Sequence, residues 1–435
     1  MSSELIGLTG LGALMVLLVL RMPIGLSLVG VSFVGIYAMI GSRPAFGMLA
    51  SLPHDFAAKW TLSSVPMFLL MGFVCYYAGL TKGLFDAARS WLARLPGGLA
   101  VASVCGSAGF AAVTGSSIAC AAAMGRIAVP EMLRAGYAPS LATGSIAAAG
   151  TLGALIPPSI LLILFGVFAE VPISHLFIGG IGAGVITALL YIAMILIRTS
   201  LSPELAPRLA TLPPMEERMA HLRATWPVLA LLVVVIGGMF AGLFTATEAG
   251  AVGAFASILI ALGRRALGWG ELWLALKETM ITTASLFVIA IGANLLTRFL
   301  ALTGAGDLIA DAVIAMQADR MTLILGVSLL YLLLGMFLDP LGAMLLTLPV
   351  LLPVLEQADI NLIWFGVFLA KFLEIGMITP PIGLNVFVIK GVVGDRVPLT
   401  TIFRGILWFL AADAVAVAMF IAWPEIITFL PELMK

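Results

Sequence analysis

Hydrophobic positions in this chain do not alternate with polar ones; they run on. Charge-free stretches cover 5–20, 22–42, 60–81, 95–125, 135–169, 171–197, 224–247, 249–263, 279–297, 321–338, 340–355, 375–389 and 405–424, the last interrupted once by Asp413. A helix needs about 20 apolar residues to cross the hydrocarbon, so most of these stretches are predicted spans. Two of them, 95–125 and 135–169, are too long for one ordinary crossing and must break inside. The first is interrupted by Thr114-Gly115-Ser116-Ser117 and the second by Ile156-Pro157-Pro158-Ser159. Neither break has the charges or the polar length of a surface loop, which places both at membrane depth. Non-helical backbone is tolerated there only when it is buried in protein or lines a cavity. The pattern predicts a re-entrant helical hairpin over 98–135, with its tip at 114–117, and a discontinuous spanning helix over 140–168.

The same arrangement returns 223 residues later. That shift carries Ser116 to Asp339, Pro130 to Pro353, Gly153 to Gly376, Pro157 to Pro380 and Pro158 to Pro381. Tip and break are 41 residues apart in both copies (157−116 and 380−339). One more Pro-Pro pair, Pro213-Pro214, shows that the dipeptide alone could coincide; the shared spacing of prolines and glycine reads as a repeat. The expected architecture is all-α and polytopic, with a first repeat at 1–198, a polar linker at 199–222 and a second repeat at 223–435. In the second repeat the hairpin falls at 320–357 and the broken helix at 360–390. Each half then holds three spans, a short amphipathic arm (82–95; 305–316), a hairpin, a broken helix and a last span. Five crossings per half invert the second half relative to the first, a plan common to secondary transporters.

Composition fits a bilayer as the main solvent: 62% of the 435 residues are hydrophobic, only 10% are charged, and the mean hydropathy is +1.17. Soluble domains spend about a quarter of their residues on charge. Lys+Arg equals Asp+Glu at 22 each, which offers no basic surface for nucleic acid. With the N-terminus outside, 16 basic residues fall on the cytoplasmic side and 4 on the outer side. By the positive-inside rule, both termini are predicted to be periplasmic in a bacterial inner membrane. The arms agree, the first carrying Lys82, Arg89 and Arg94 and the second Asp307 and Asp311. The N-terminus lacks a basic n-region and a cleavage site, so the first segment is expected to stay as a helix. Cys75, Cys105 and Cys120 all lie in apolar runs and read as packing residues.

Two tips and two breaks near the midplane would present free helix ends in opposed pairs, N-H groups on one side and carbonyls on the other. An anion and a small hard cation can share such a place. The hydroxyls of Thr114, Ser116, Ser117, Thr151 and Thr379, with backbone oxygens at Gly115, Gly153, Gly342 and Gly376 and the carboxylate of Asp339, are oxygen ligands suited to sodium. Ser116, Ser117, Pro158, Ser159, Asp339, Pro381 and Asn385 are the candidate substrate contacts. Structural readings stay open beside these. Ser116 and Ser117 could simply cap a hairpin limb, and Asp339-Pro340 matches an N-cap followed by Pro at the first helical position. Lys371 and Glu374, one turn apart, could neutralise each other, and Asn294 and Asn385 could bridge helices.

Taken together, Thr114-Gly115-Ser116-Ser117, Gly153-Ala154-Leu155-Ile156-Pro157-Pro158-Ser159, Leu338-Asp339-Pro340 and Ile378-Thr379-Pro380-Pro381-Ile382-Gly383-Leu384-Asn385 resemble the large membrane subunit of TRAP transporters, the tripartite ATP-independent periplasmic family. The likeness extends over essentially the whole chain, including Arg21-Met22-Pro23-Ile24-Gly25. It implies sodium-driven uptake of an organic acid, a small four-helix membrane subunit and a soluble periplasmic binding protein that delivers substrate. It also implies an elevator motion of hairpins and broken helices against a scaffold. This chain resembles the form that is not fused to the small subunit. A stand-alone sodium/carboxylate symporter of a related inverted-repeat fold is the rival reading. An enzyme is disfavoured because no Gly-x-Ser-x-Gly elbow occurs, and an ATP-driven pump because no phosphate-binding loop does.

Overall fold

The computed structural model describes residues 2–207, 213–306, 308, 309, 311 and 319–433. The expected second arm, 305–316 with Asp307, lies largely outside the described residues. All described regular structure is helical. The first half runs α1 (Ser3–Val19), α2 (Ile24–Ile40), α3 (Ser42–Ala57), α4 (Ser64–Tyr77), α5 (Lys82–Leu92), α6 (Gly98–Thr114), α7 (Ser117–Arg134), α8 (Pro139–Gly150), α9 (Ile160–Phe168) and α10 (Ile173–Leu201). The second half follows a linker helix, α11 (Met215–Ala224), and contains α12 (Trp226–Phe240), α13 (Ala246–Gly263), α14 (Trp269–Thr303), α15 (Arg320–Gly335), α16 (Pro340–Gln357), α17 (Leu362–Gly376), α18 (Leu384–Val393), α19 (Leu399–Ala422) and α20 (Glu425–Glu432). Six of the described helices are long and apolar enough to cross a membrane, α14 alone reaching 35 residues, or about 52 Å at the α-helical rise. The chain is a multi-pass membrane protein.

Burial separates an interior from a rim. Among the 17 residues of α1 only Gly7 and Leu14 are buried, whereas α6, α8 and α17 are buried along nearly their whole length. Small residues allow that density. A Cβ on Gly405 of α19 would stand 1.9 Å from the Ser140 carbonyl oxygen, and one on Gly144 of α8 would stand 2.7 Å from the Gly405 carbonyl carbon. The two helices therefore cross backbone to backbone, the close approach that membrane interiors favour.

Two apolar cores form, and each mixes the halves. One joins α6, α7 and α8 to α18, the second limb of the later broken helix. The other joins α15, α16 and α17 to α9, the second limb of the earlier one. The same exchange holds in the outer helices, where α2 packs on α14 and α13 packs on α4.

Two elements depart from the reading of the chain. Residues 42–57 form α3, a helix whose mixed composition and Pro53 hide it from a search for charge-free runs. The described part of the linker holds a helix: α11 docks on the first arm, with Ser90 Oγ 2.6 Å from His221 Nδ1 and the Arg218 guanidinium 4.2 Å over the Trp91 ring.

Candidate functional site

Between α6 and α7 only Gly115 and Ser116 stand outside helix. Gly115 has a φ of +62°, and a Cβ there would lie 2.2 Å from the Pro158 carbonyl oxygen, so a bare, left-handed residue is what lets this tip rest on the first break. Ser116 then starts α7 as its N-cap, its Oγ accepting from the Ala119 N-H. A Cβ on Gly153 would come within 2.7 Å of the Ser116 carbonyl, which seats the break against the tip from the other side. In the second half Asp339 is the N-cap of α16, its Oδ2 accepting from the Gly342 N-H at 2.9 Å, with Pro340 as the first helical residue. Gly376 packs on Gly335, where a Cβ would meet backbone at 2.6 Å. The Pro157-Pro158 and Pro380-Pro381 bonds are both cis. The capping roles of Ser116 and Asp339 are thus real, and they leave lone pairs on both side chains free.

The tips converge. A cavity of about 110 Å³ is lined by Gly115, Ser116 and Ser117 from the first tip, by Asp339 from the second, and by Ala154, Met377 and Glu374 from the broken helices. Its lining includes two carboxylates and no Lys, Arg or His. Thr114, buried, faces a neighbouring, larger space of about 440 Å³ together with Ser116, Tyr76 and Leu341.

Other candidates do not line the cavity between the tips. Thr151, Thr379 and Thr114 each donate a hydroxyl hydrogen to a carbonyl one turn back, at Ala148, Ile375 and Phe110. Ser159 is fully buried as the N-cap of α9 and also donates to the Ala154 carbonyl at 2.6 Å. Asn385 is fully buried, donates to Ala147 across the halves and leaves its Oδ1 without a partner among the described residues. None of Ser159, Pro158, Pro381, Asn385, Thr151, Gly153, Gly342, Gly376 or Thr379 lines the shared cavity.

The charged pair on α17 is not what its spacing suggests. Lys371, fully buried, turns to Asp413 on α19, Nζ to Oδ1 2.5 Å, and stands 5.4 Å from the centre of the Tyr191 ring. Tyr191 donates to the same Asp413 oxygen at 2.7 Å and reaches Thr151 at 3.3 Å. The partner lies on another helix, which i,i+3 spacing within α17 could not reveal. Glu374 is left over: it is 1% exposed, and its Oε2 has no partner among the described residues.

Comparison with known proteins places the chain in a family. The family model described as tripartite ATP-independent periplasmic transporter, DctM component, matches residues 11–426. The chain is 34% identical over 366 residues to the C4-dicarboxylate TRAP transporter large permease protein DctM of Pseudomonas aeruginosa, covering 83% of this chain and 84% of that one. It is 30% identical over 386 residues to the isethionate TRAP transporter permease protein DctMQ of Oleidesulfovibrio alaskensis, where it covers 87% of this chain but spans only 59% of the relative's length. Among solved structures the fold resembles the Alcanivorax borkumensis YdaH transporter, with a TM-score of 0.58 at 17% identity over 88% of this chain and 89% of the other.

Proposed function

The chain belongs to the tripartite ATP-independent periplasmic transporter family as a DctM component, and from that premise we propose that it is the large membrane subunit of a sodium-coupled uptake system for an organic acid. The relatives named for C4-dicarboxylates and for isethionate both handle small organic anions, which favours that class here. A small four-helix membrane subunit and a soluble periplasmic binding protein complete the system. Both termini face the periplasm of a bacterial inner membrane. The halves act as inverted repeats, a reading supported by the reciprocal packing of α9 and α18 into each other's half.

One observation carries the proposal: two helix tips from opposite halves meet at one cavity whose polar side chains are hydroxyls and carboxyls without a basic side chain. An organic anion brought there has no protein cation to meet it, and moving an unpaired anion through low dielectric is costly. Bound sodium supplies the missing charge. The donors fit a hard cation. Thr114, Thr151 and Thr379 spend their hydrogens on backbone carbonyls and keep oxygen lone pairs, and Ser116 and Asp339 accept from a backbone N-H. We assign one sodium to Ser116, Ser117 and the Gly153 break and one to Asp339 and the Gly376 break. Substrate transfer then follows an elevator motion in which hairpins and broken helices move against the outer helices.

Reconstitution tests the assembly. Uptake from a panel of organic acids should require both the small subunit and the binding protein. Uptake by this chain alone, at a rate unchanged by adding the other two, would move the assignment to a stand-alone symporter.

A further inference from the structure

Glu374 occupies an unfavourable place for a carboxylate, and nothing in the two-tip assignment explains it. It lies in the last turn of α17, two residues before Gly376, where the partial charge of the helix end is negative. Its side chain is 1% exposed, lines the cavity between the tips, and keeps Oε2 free of any partner among the described residues. The nearest basic residue in sequence, Lys371, is spent on Asp413. Asp339 lines the same cavity and adds a second carboxyl group. Asp339 has the better site of the two, at a helix N-terminus with a backbone N-H bonded to it.

We propose that Glu374 ligates a sodium ion of its own, seated in the cavity between Glu374, Ser117 and Asp339 and additional to the two ions assigned to the tips and breaks. The inference rests on the sodium reading above. Its chemical logic is the donor set: a carboxyl oxygen without a partner among the described residues, a second carboxyl group with lone pairs to share, a buried hydroxyl at Ser117 and no basic group in the lining. Hard cations take such all-oxygen sets. An ion there would bridge the first tip, the second tip and the end of α17, so that it binds tightly only when the two halves have closed on each other.

The test compares wild type with Glu374→Gln, which keeps size and hydrogen-bonding capacity while removing the charge. In proteoliposomes with the small subunit and the binding protein, the membrane voltage at which net flux vanishes, read at set sodium and substrate gradients, gives the sodium count per substrate. Glu374→Gln should lower that count by one, while Ser116→Ala should raise the half-saturating sodium. In detergent, without substrate, sodium should stabilise wild type against heat, and Glu374→Gln should need about tenfold more sodium for the same rise. Should Glu374→Gln fail to fold, Glu374→Asp, which retains the charge, must show the wild-type count and sodium-dependent stabilisation. An unchanged count and an unchanged thermal titration in Glu374→Gln would overturn the proposal while leaving sodium coupling intact. A zero-flux voltage of wild type that depends on the pH gradient, with that dependence lost in Glu374→Gln and the sodium count unchanged, would also overturn it and identify a proton. Sodium-independent uptake by wild type would instead overturn the coupling assignment itself.

Discussion

Asp339 and Ser116 each use one side chain twice. As N-caps they accept a backbone N-H, a bond whose loss costs about 0.5–2 kcal/mol, and as cavity residues they keep oxygen lone pairs turned to the space between the tips. Ser116→Ala or Asp339→Ala should therefore lower stability by that modest amount and, measured as uptake in proteoliposomes, raise half-saturating sodium by about tenfold, the equivalent of 1.4 kcal/mol. A change in stability without a change in sodium dependence would leave them caps only. Lys371 and Asp413 make the opposite case, a buried ion pair with no lining role in the cavity. Removing one partner leaves a lone buried charge, and Lys371→Met should cost about 3–5 kcal/mol in thermal or denaturant unfolding. The double variant Lys371→Met/Asp413→Leu should recover most of that loss. Equal damage from single and double variants would show that the pair does more than neutralise itself. The glycines and prolines of the breaks were legible in the sequence because backbone geometry restricts which residues can stand there. The role of Glu374 was not, since spacing pairs it with Lys371 and only the crossing of α17 with α19 sends that lysine to Asp413.

At the scale of elements, the break positions were readable because a charge-free run longer than one crossing has to interrupt itself. Helix α3 was not readable, being too polar for the hydropathy pattern and holding Pro53 within it. The docking of α11 on the first arm is likewise invisible from composition, because it depends on single contacts such as Arg218 over Trp91. The reading of α6 and α7 as a re-entrant hairpin makes a direct prediction. Cysteines placed singly across 98–135 in a background without Cys75, Cys105 and Cys120 should react with membrane-impermeant reagents from the cytoplasmic side and at the cavity. Efficient periplasmic labelling along the whole tip of a resting carrier would contradict it. Gly115 offers a sharper probe of how the tip is seated. Gly115→Ala adds a Cβ 2.2 Å from the Pro158 carbonyl oxygen at a positive φ, and should abolish uptake while the protein still reaches the membrane.

Across the whole molecule, two halves complete one cavity, and the proposed function rests on it. The first half brings Ser116 and Ser117, the second brings Asp339 and Glu374, and neither set alone surrounds the cavity. The exchange of α9 and α18 between the two apolar cores ties the halves together. The central claim is that sodium, held by these oxygens, supplies the charge that lets an organic anion cross. The most direct measurement imposes gradients one at a time on proteoliposomes holding this subunit, the small subunit and the binding protein, with labelled organic acid outside. An inward sodium gradient at equal pH should drive accumulation, and an inward proton gradient without sodium should not. Accumulation that persists without sodium and follows the pH gradient would contradict the account.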